Sequence, residues 1–154
     1  MSDDNPFGEP HTYIDPLALS TACQRDIPYL TRLGVNALRI YSVDPTLNHD
    51  ACMTALSAAG IYTMYVDLSL SLISCSFLAF FHSIDLATPL NGSIDRLVPS
   101  WSNNLLNAYI QRIDAFLKYD NVLAFNVGNE VITGPTTAVA PYVKAAARDV
   151  KAYL

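Results

Sequence analysis

Positive charge is the first thing this chain is short of. Nine Lys and Arg stand against fourteen Asp and Glu, for a formal net charge of −5. Without a basic stripe there is no electrostatic footprint for a phosphate backbone, which excludes a nucleic-acid partner. Charge of either sign is thin, at 15%, while apolar side chains make up 51%. So apolar a chain buries a core and does not stay disordered. Cysteine is scarce too. Three cysteines are too few for a disulfide scaffold, and an odd number leaves one unpaired in any scheme. The start, Met1-Ser2-Asp3-Asp4-Asn5-Pro6, lacks the basic and then apolar opening of a signal peptide. Long apolar runs are absent apart from 68–84 (LSLSLISCSFLAFFHSI), which is broken by serines and a histidine and has no basic flank. A spanning helix needs about 20 mostly apolar residues, so this stretch reads as an apolar loop or buried segment. His11, His49, His82 and the cysteines show no ligand spacing, and no metal or other cofactor is expected. No short internal repeat is visible.

What is present is an alternation of helical and strand-like segments of a length that suits one domain. Residues 23–33 place Ile27, Leu30 and Leu33 at helical spacing, with Ser20 or Thr21 as a capping hydroxyl and Gly34 as a stop. Residues 35–43 (VNALRIYSV) then read as a strand, broken by Asp44-Pro45. A second helix over 46–59 is stopped by Gly60, and 61–68 (IYTMYVDL) is a second strand. The third helix, 103–118, carries Leu106, Ile110, Ile113 and Leu117 on one stripe. Residues 122–127 (VLAFNV) form a third strand, and a fourth helix begins at 141.

Helix, glycine and strand in repetition indicate parallel βα units, and the nearly continuous apolar strands suit a sheet covered on both faces. A doubly wound sheet and a piece of a (β/α)8 barrel both fit. The turn after the first strand has no Gly-rich phosphate loop, which disfavours a dinucleotide fold. Polar residues gather where each strand ends: Arg39 and Tyr41, then Asp67, then Asn129 and Glu130. Catalytic residues of a barrel sit at the C-terminal ends of its strands, which favours the barrel. A complete barrel takes about 250 residues. About three βα units therefore imply an α/β, partial TIM barrel that does not close, and a chain ending in helical sequence reads as a fragment.

The densest chemical signal is Gly128-Asn129-Glu130-Val131, just beyond a buried strand. Read blandly, Glu130 is a helix-start carboxylate interacting with the macrodipole. Read chemically, a partly desolvated Glu protonates a leaving glycosidic oxygen while the adjacent amide holds a sugar hydroxyl.

Several further stretches join this one. They are Tyr13-Ile14-Asp15-Pro16-Leu17-Ala18, Cys23-Gln24-Arg25-Asp26-Ile27-Pro28, the run LGVNALRIY over 33–41, and Asp44-Pro45-Thr46. After them come His49-Asp50-Ala51-Cys52-Met53, Tyr65-Val66-Asp67-Leu68-Ser69, Pro99-Ser100-Trp101 and the run VKAAARD over 143–149. Jointly they resemble the fungal β-1,3-glucanosyltransferases of glycoside hydrolase family 72, from Tyr13 to Leu154 with one interruption. The resemblance implies an enzyme that splits an internal β-1,3-glucan linkage, holds the glucan as a glycosyl-enzyme and passes it to a second glucan. It implies Glu130 as acid/base, Asn129 as the sugar-binding amide and Tyr41 as a donor-site tyrosine. Asp67, Asn91 and Asp95 join them as glucan contacts. It also implies a Cys23–Cys52 disulfide in an oxidising compartment, with Cys75 left unpaired. The alternative is three free thiols in a cytosolic protein. Glucan donor and acceptor are the expected partners, with no protein partner and a monomeric state. By family, the location is the cell surface, through a glycosylphosphatidylinositol anchor whose signal this chain lacks.

Three departures accompany the resemblance. The family's nucleophile is a second Glu on a later strand, whereas Glu9 and Asp149 here lie outside any strand end. The family's first strand is also missing. Residues 1–12 form a polar segment ahead of the barrel portion, 13–154, and within it 71–88 (SLISCSFLAFFHSIDLAT) has no family counterpart. That segment reads as a translated intron or gene-model error, the alternative being a genuine loop insertion. Another barrel glycosidase that merely hydrolyses, or a non-catalytic glucan-binding remnant, is the competing function. Asn91-Gly92-Ser93 is a glycosylation sequon.

Overall fold

The computed structural model describes residues 15–40, 43–63, 84–85, 94–95, 97–128, 131–132 and 134–154. Its elements run α1 (Ser20–Arg32), β1 (Ala37–Leu38), α2 (Asp50–Ala58), β2 (Tyr62–Thr63), β3 (Ile84–Asp85), α3 (Asn103–Phe116) and β4 (Phe125–Asn126). A 3₁₀ segment (Gly134–Val139) then leads into α4 (Ala140–Tyr153).

The helix ends are set by two glycines. Gly34 adopts φ 71° and Gly60 φ 70°, a left-handed conformation that costs a residue with a Cβ but not glycine. Around Gly34, the Gly34 N–H donates to the Thr31 carbonyl and the Val35 N–H to that of Leu30, each at 3.0 Å. Gly60 and Ile61 repeat the pattern on Ser57 and Leu56, each at 2.9 Å. Both are Schellman closures, which satisfy the last helical carbonyls and turn the chain directly into a strand.

The strands that follow pair in parallel. β1 lies beside β2 with Ala37 opposite Tyr62 and Leu38 opposite Thr63. Thr63 in turn bridges Val122 in parallel, through Thr63 N–H to Asn121 O at 2.7 Å and Leu123 N–H to Thr63 O at 2.6 Å. β4 pairs in parallel with β3, Ile84 opposite Phe125 and Asp85 opposite Asn126. This is an open, partial α/β sheet, as expected, with regular strands shorter than the sequence suggests. β3 lies in the stretch 71–88, where no strand is expected.

One apolar core unites the elements. Met53, Leu56, Ile61, Ile94, Ile113 and Phe116 are buried in it, and α1 lays Cys23, Ile27 and Leu30 against it. The Cys23–Cys52 disulfide joins α1 to α2 across a Cα–Cα distance of 5.7 Å. The expected pairing is present, and a cross-link over a loop of this size contributes about 3–4 kcal/mol. Asn121, almost fully buried, donates from Nδ2 to the Met53 carbonyl at 3.2 Å and the Ile61 carbonyl at 3.3 Å. It thereby ties α2, β2 and the approach to β4 together.

Several local expectations need correction. α1 begins at Ser20 with Leu19 at its N-cap and no side-chain cap, so neither Ser20 nor Thr21 plays that part. Leu33 falls past the helix end and is 77% exposed. α2 starts at Asp50 and not at 46, because Asp44 holds the preceding residues in a turn. Its Oδ1 accepts the Thr46 N–H at 2.9 Å and the Thr46 hydroxyl at 2.6 Å. On α3 the buried face is Tyr109, Arg112, Ile113 and Phe116, while Leu117 is exposed. An arginine whose stem is buried interrupts the apolar pattern and displaces the apparent stripe.

Candidate functional site

Parallel strands deliver their C-terminal ends to one edge of a sheet, and among the described residues the exits of β1 and β4 are fastened by side chains from elsewhere in the fold. At the exit of β1 the fastener is Asp15, which is buried. Its Oδ2 accepts the Asp44 N–H at 2.7 Å and meets His49 Nε2 at 2.8 Å. Its Oδ1 accepts the Leu17 N–H at 2.8 Å and the Ala18 N–H at 3.3 Å. The His49 ring, only 1% exposed, packs on Phe116 at 4.6 Å between centroids. One carboxylate thus joins the segment before α1, the loop after β1 and the start of α2. A buried carboxylate with four partners is satisfied, and removing it would orphan several donors at once. Asp44 itself is held below the ordinary carboxylate range, chiefly by the Thr46 hydroxyl.

The exit of β4 is fastened more densely. The Tyr109 hydroxyl, fully buried, donates to the Val127 carbonyl at 3.0 Å. The Asn126 Oδ1 accepts the Gly128 N–H at 3.2 Å. A Cβ at Gly128 would meet Val131 Cγ2 at 3.0 Å and the Val143 methyls at 3.7 Å, so glycine lets this turn close against α4. Beyond it, the Thr136 hydroxyl donates to the Val131 carbonyl at 3.0 Å. Trp101 braces the arrangement. Its ring meets Tyr109 edge-on at 5.2 Å, and its Nε1 donates to Asp149 Oδ2 at 2.8 Å. Asp149 is held below its ordinary range, first by Arg148 and then by this indole. It acts as a structural carboxylate.

Tyr41, Asp67, Asn91, Asn129 and Glu130 lie outside the described residues, as does Cys75. Asp95 is exposed, and its Oδ1 accepts the Leu97 N–H at 2.6 Å and the Val98 N–H at 3.2 Å. The segments that flank 41 and 129–130 are therefore held in place around positions the sequence singles out. Tyr109, Thr136, Asp15 and His49 escape a sequence reading as contributors. Only the apolar spacing of Tyr109 with Ile113 and Phe116 hints that its hydroxyl is carried inward. Among the described residues no group of three His, Cys, Asp or Glu is placed to hold a metal ion, and no helix is long and apolar enough to cross a membrane.

Comparison with known proteins adds to this geometry. A family model described as "Glucanosyltransferase" matches residues 2–154. The 1,3-beta-glucanosyltransferase gas1 of Schizosaccharomyces pombe is 41% identical over 143 residues, covering 92% of this chain and 23% of that protein. The 1,3-beta-glucanosyltransferase gel1 of Aspergillus fumigatus is 43% identical, covering 91% of this chain and 27% of its own length. Among solved structures, Saccharomyces cerevisiae Gas2p in complex with laminaritriose and laminaritetraose aligns at TM-score 0.76 and 42% identity. That alignment covers 92% of this chain and 28% of Gas2p. The chain thus spans about a quarter of the length of the relatives it matches.

Proposed function

Because the chain belongs to the glucanosyltransferase family, glycoside hydrolase family 72, we propose that it carries the acid/base side of a retaining β-1,3-glucan transfer site. What supports this reading above all is the exit of β4, where the backbone on both sides of Asn129-Glu130 is fixed by buried or half-buried side chains. The C-terminal ends of parallel strands are the place where barrel enzymes do their chemistry, and Glu130 follows such a strand directly in the sequence.

Glu130 protonates the oxygen of the departing glucan and later removes the proton of the acceptor hydroxyl. Asn129 hydrogen-bonds a hydroxyl of the sugar bearing the developing charge. Tyr41 lines the donor side, with Asp67, Asn91 and Asp95 as further glucan contacts. Retention requires a second carboxyl group about 5–5.5 Å from the first, to form the glycosyl-enzyme. The glutamates of this sequence are Glu9 and Glu130, and Glu9 precedes the barrel portion. The 154 residues by themselves are therefore inactive in transfer. The second reading, a non-catalytic glucan-binding remnant, draws on that same shortage. Residues 13–154 make up the partial barrel domain, and 71–88 is a translated intron within it. Sequencing transcripts across that region tests the intron, and a main species that retains these codons would remove it. The parent enzyme acts as a monomer on wall glucan at the cell surface, held by a lipid anchor.

The functional test is a chimera in which this chain replaces the matching residues of Saccharomyces cerevisiae Gas2. The chimera should lengthen laminari-oligosaccharides, with products larger than the donor. Glu130→Gln in it should lower the rate by about 10²–10⁴-fold while leaving oligosaccharide binding near its original level. Transfer within a few-fold of the parent chimera would strip Glu130 of its role.

A further inference from the structure

We infer that β3 occupies the place beside β4 that would fall to an unbroken β2, which makes Asp85 the acid at this strand end and 66–83 surplus to the sheet. The register carries this. Val122 lies 59 positions after its partner Thr63, whereas Phe125 lies 41 positions after Ile84. Continued without a break, β2 would set Val66 opposite Phe125 and Asp67 opposite Asn126, the residues that Ile84 and Asp85 oppose. The two registers differ by 18 positions, the length of the stretch 71–88 that has no family counterpart. Residue types match at the same interval. Val66-Asp67-Leu68 is answered by Ile84-Asp85-Leu86, in each case a β-branched residue, an acid and a leucine. Either segment offers β4 the same pattern.

Handedness puts β3 on the β2 side of β4. The Tyr62 N–H turns to the Asn36 carbonyl and the Thr63 N–H to that of Asn121, so β2 lies between β1 and the run into β4. α2 and α3 lie on one face, joined by Asp50 with Lys118 and Tyr119 and by the His49 ring on Phe116. The unit β1-α2-β2 steps across the sheet toward β4. A right-handed crossover through α3 steps the same way, so β3 reaches β4 from the side of β2. An insertion there is tolerated, because loop-closure entropy grows only with the logarithm of length. The inference concerns the backbone and stands whether or not Glu130 has its proposed role. Nuclear Overhauser contacts between backbone protons of the isotope-labelled 154-residue chain test it. They should link Ile84 with Phe125 and Asp85 with Asn126. Contacts from Val66 or Asp67 to those two partners overturn the inference, as does a folded sample with neither set. Deleting 66–83 joins Tyr65 to Ile84, and should preserve both contacts with a melting midpoint within about 5 °C of the intact chain. A folded deletion variant that loses them also overturns it. Should the shortened chain fail to fold, the contacts in the intact chain decide alone.

Discussion

Asp50, at the start of α2, gathers Lys118 Nζ at 2.6 Å and the Tyr119 hydroxyl at 2.7 Å on its Oδ1. With the Lys118 hydrogen bond the largest cause, its carboxyl falls from an ordinary 3.8 to about 2. The depressed folded value fixes the sign: the ion pair stabilises above the unfolded value and its contribution is lost as pH falls through the folded one. Asp50→Asn should therefore change melting temperature little near neutrality, where an exposed pair is screened, and flatten its decline between 3.8 and about 2. Melting curves in that window at low salt check it, and an unaltered acid slope would refute the assignment. Residues of this kind are poorly legible in sequence. Asp15 meets His49 across 34 positions, and Asn121 reaches Met53 across 68. Periodicity reports neighbours along a helix or strand, and it is blind to such closures. Glu130 and Asn129 stand out for another reason, as an amide and carboxylate directly beyond an apolar strand, yet their neighbours' hydroxyls do not.

At the scale of elements the legible features are those written in local chemistry. Gly34 and Gly60 mark both helix ends because only a residue without a Cβ turns there without strain. Nothing lies within 4 Å of an added Cβ at either position, so the cost of a substitution is conformational and not a clash. Gly60→Ala should destabilise by about 1 kcal/mol and Gly60→Asn by less, since Asn enters the left-handed region more readily. Denaturant unfolding measures both, and equal losses would count against the turn as the cause. The displaced buried stripe of α3 was hidden by Arg112, and the uncapped start of α1 by hydroxyls that prove to be helical. β3 has no local signature either, since its pairing with β4 is a matter of tertiary contact.

For the whole molecule, the parallel βα organisation and the Cys23–Cys52 link were anticipated, the first from periodicity and the second from family resemblance. The 154-residue chain should give no glucan transfer or hydrolysis above background, because on the proposed roles Glu130 supplies the acid while no second glutamate of the barrel portion attacks the anomeric carbon to form the glycosyl-enzyme. The assay requires a sample that unfolds cooperatively, so that silence reflects chemistry and not a lost fold. Transfer by a folded sample would place a nucleophile within this chain, at Asp67 or Asp95. One described feature also makes the molecule self-reporting. Trp101 is the sole tryptophan, and its indole is fixed between Asp149 and Tyr109, whose hydroxyl bonds the backbone just ahead of Asn129-Glu130. Light absorbed near the red edge of the aromatic band is thus emitted from one fluorophore, two contacts from the candidate site. Its colour and lifetime give an optical record of that strand end, with no dye attached.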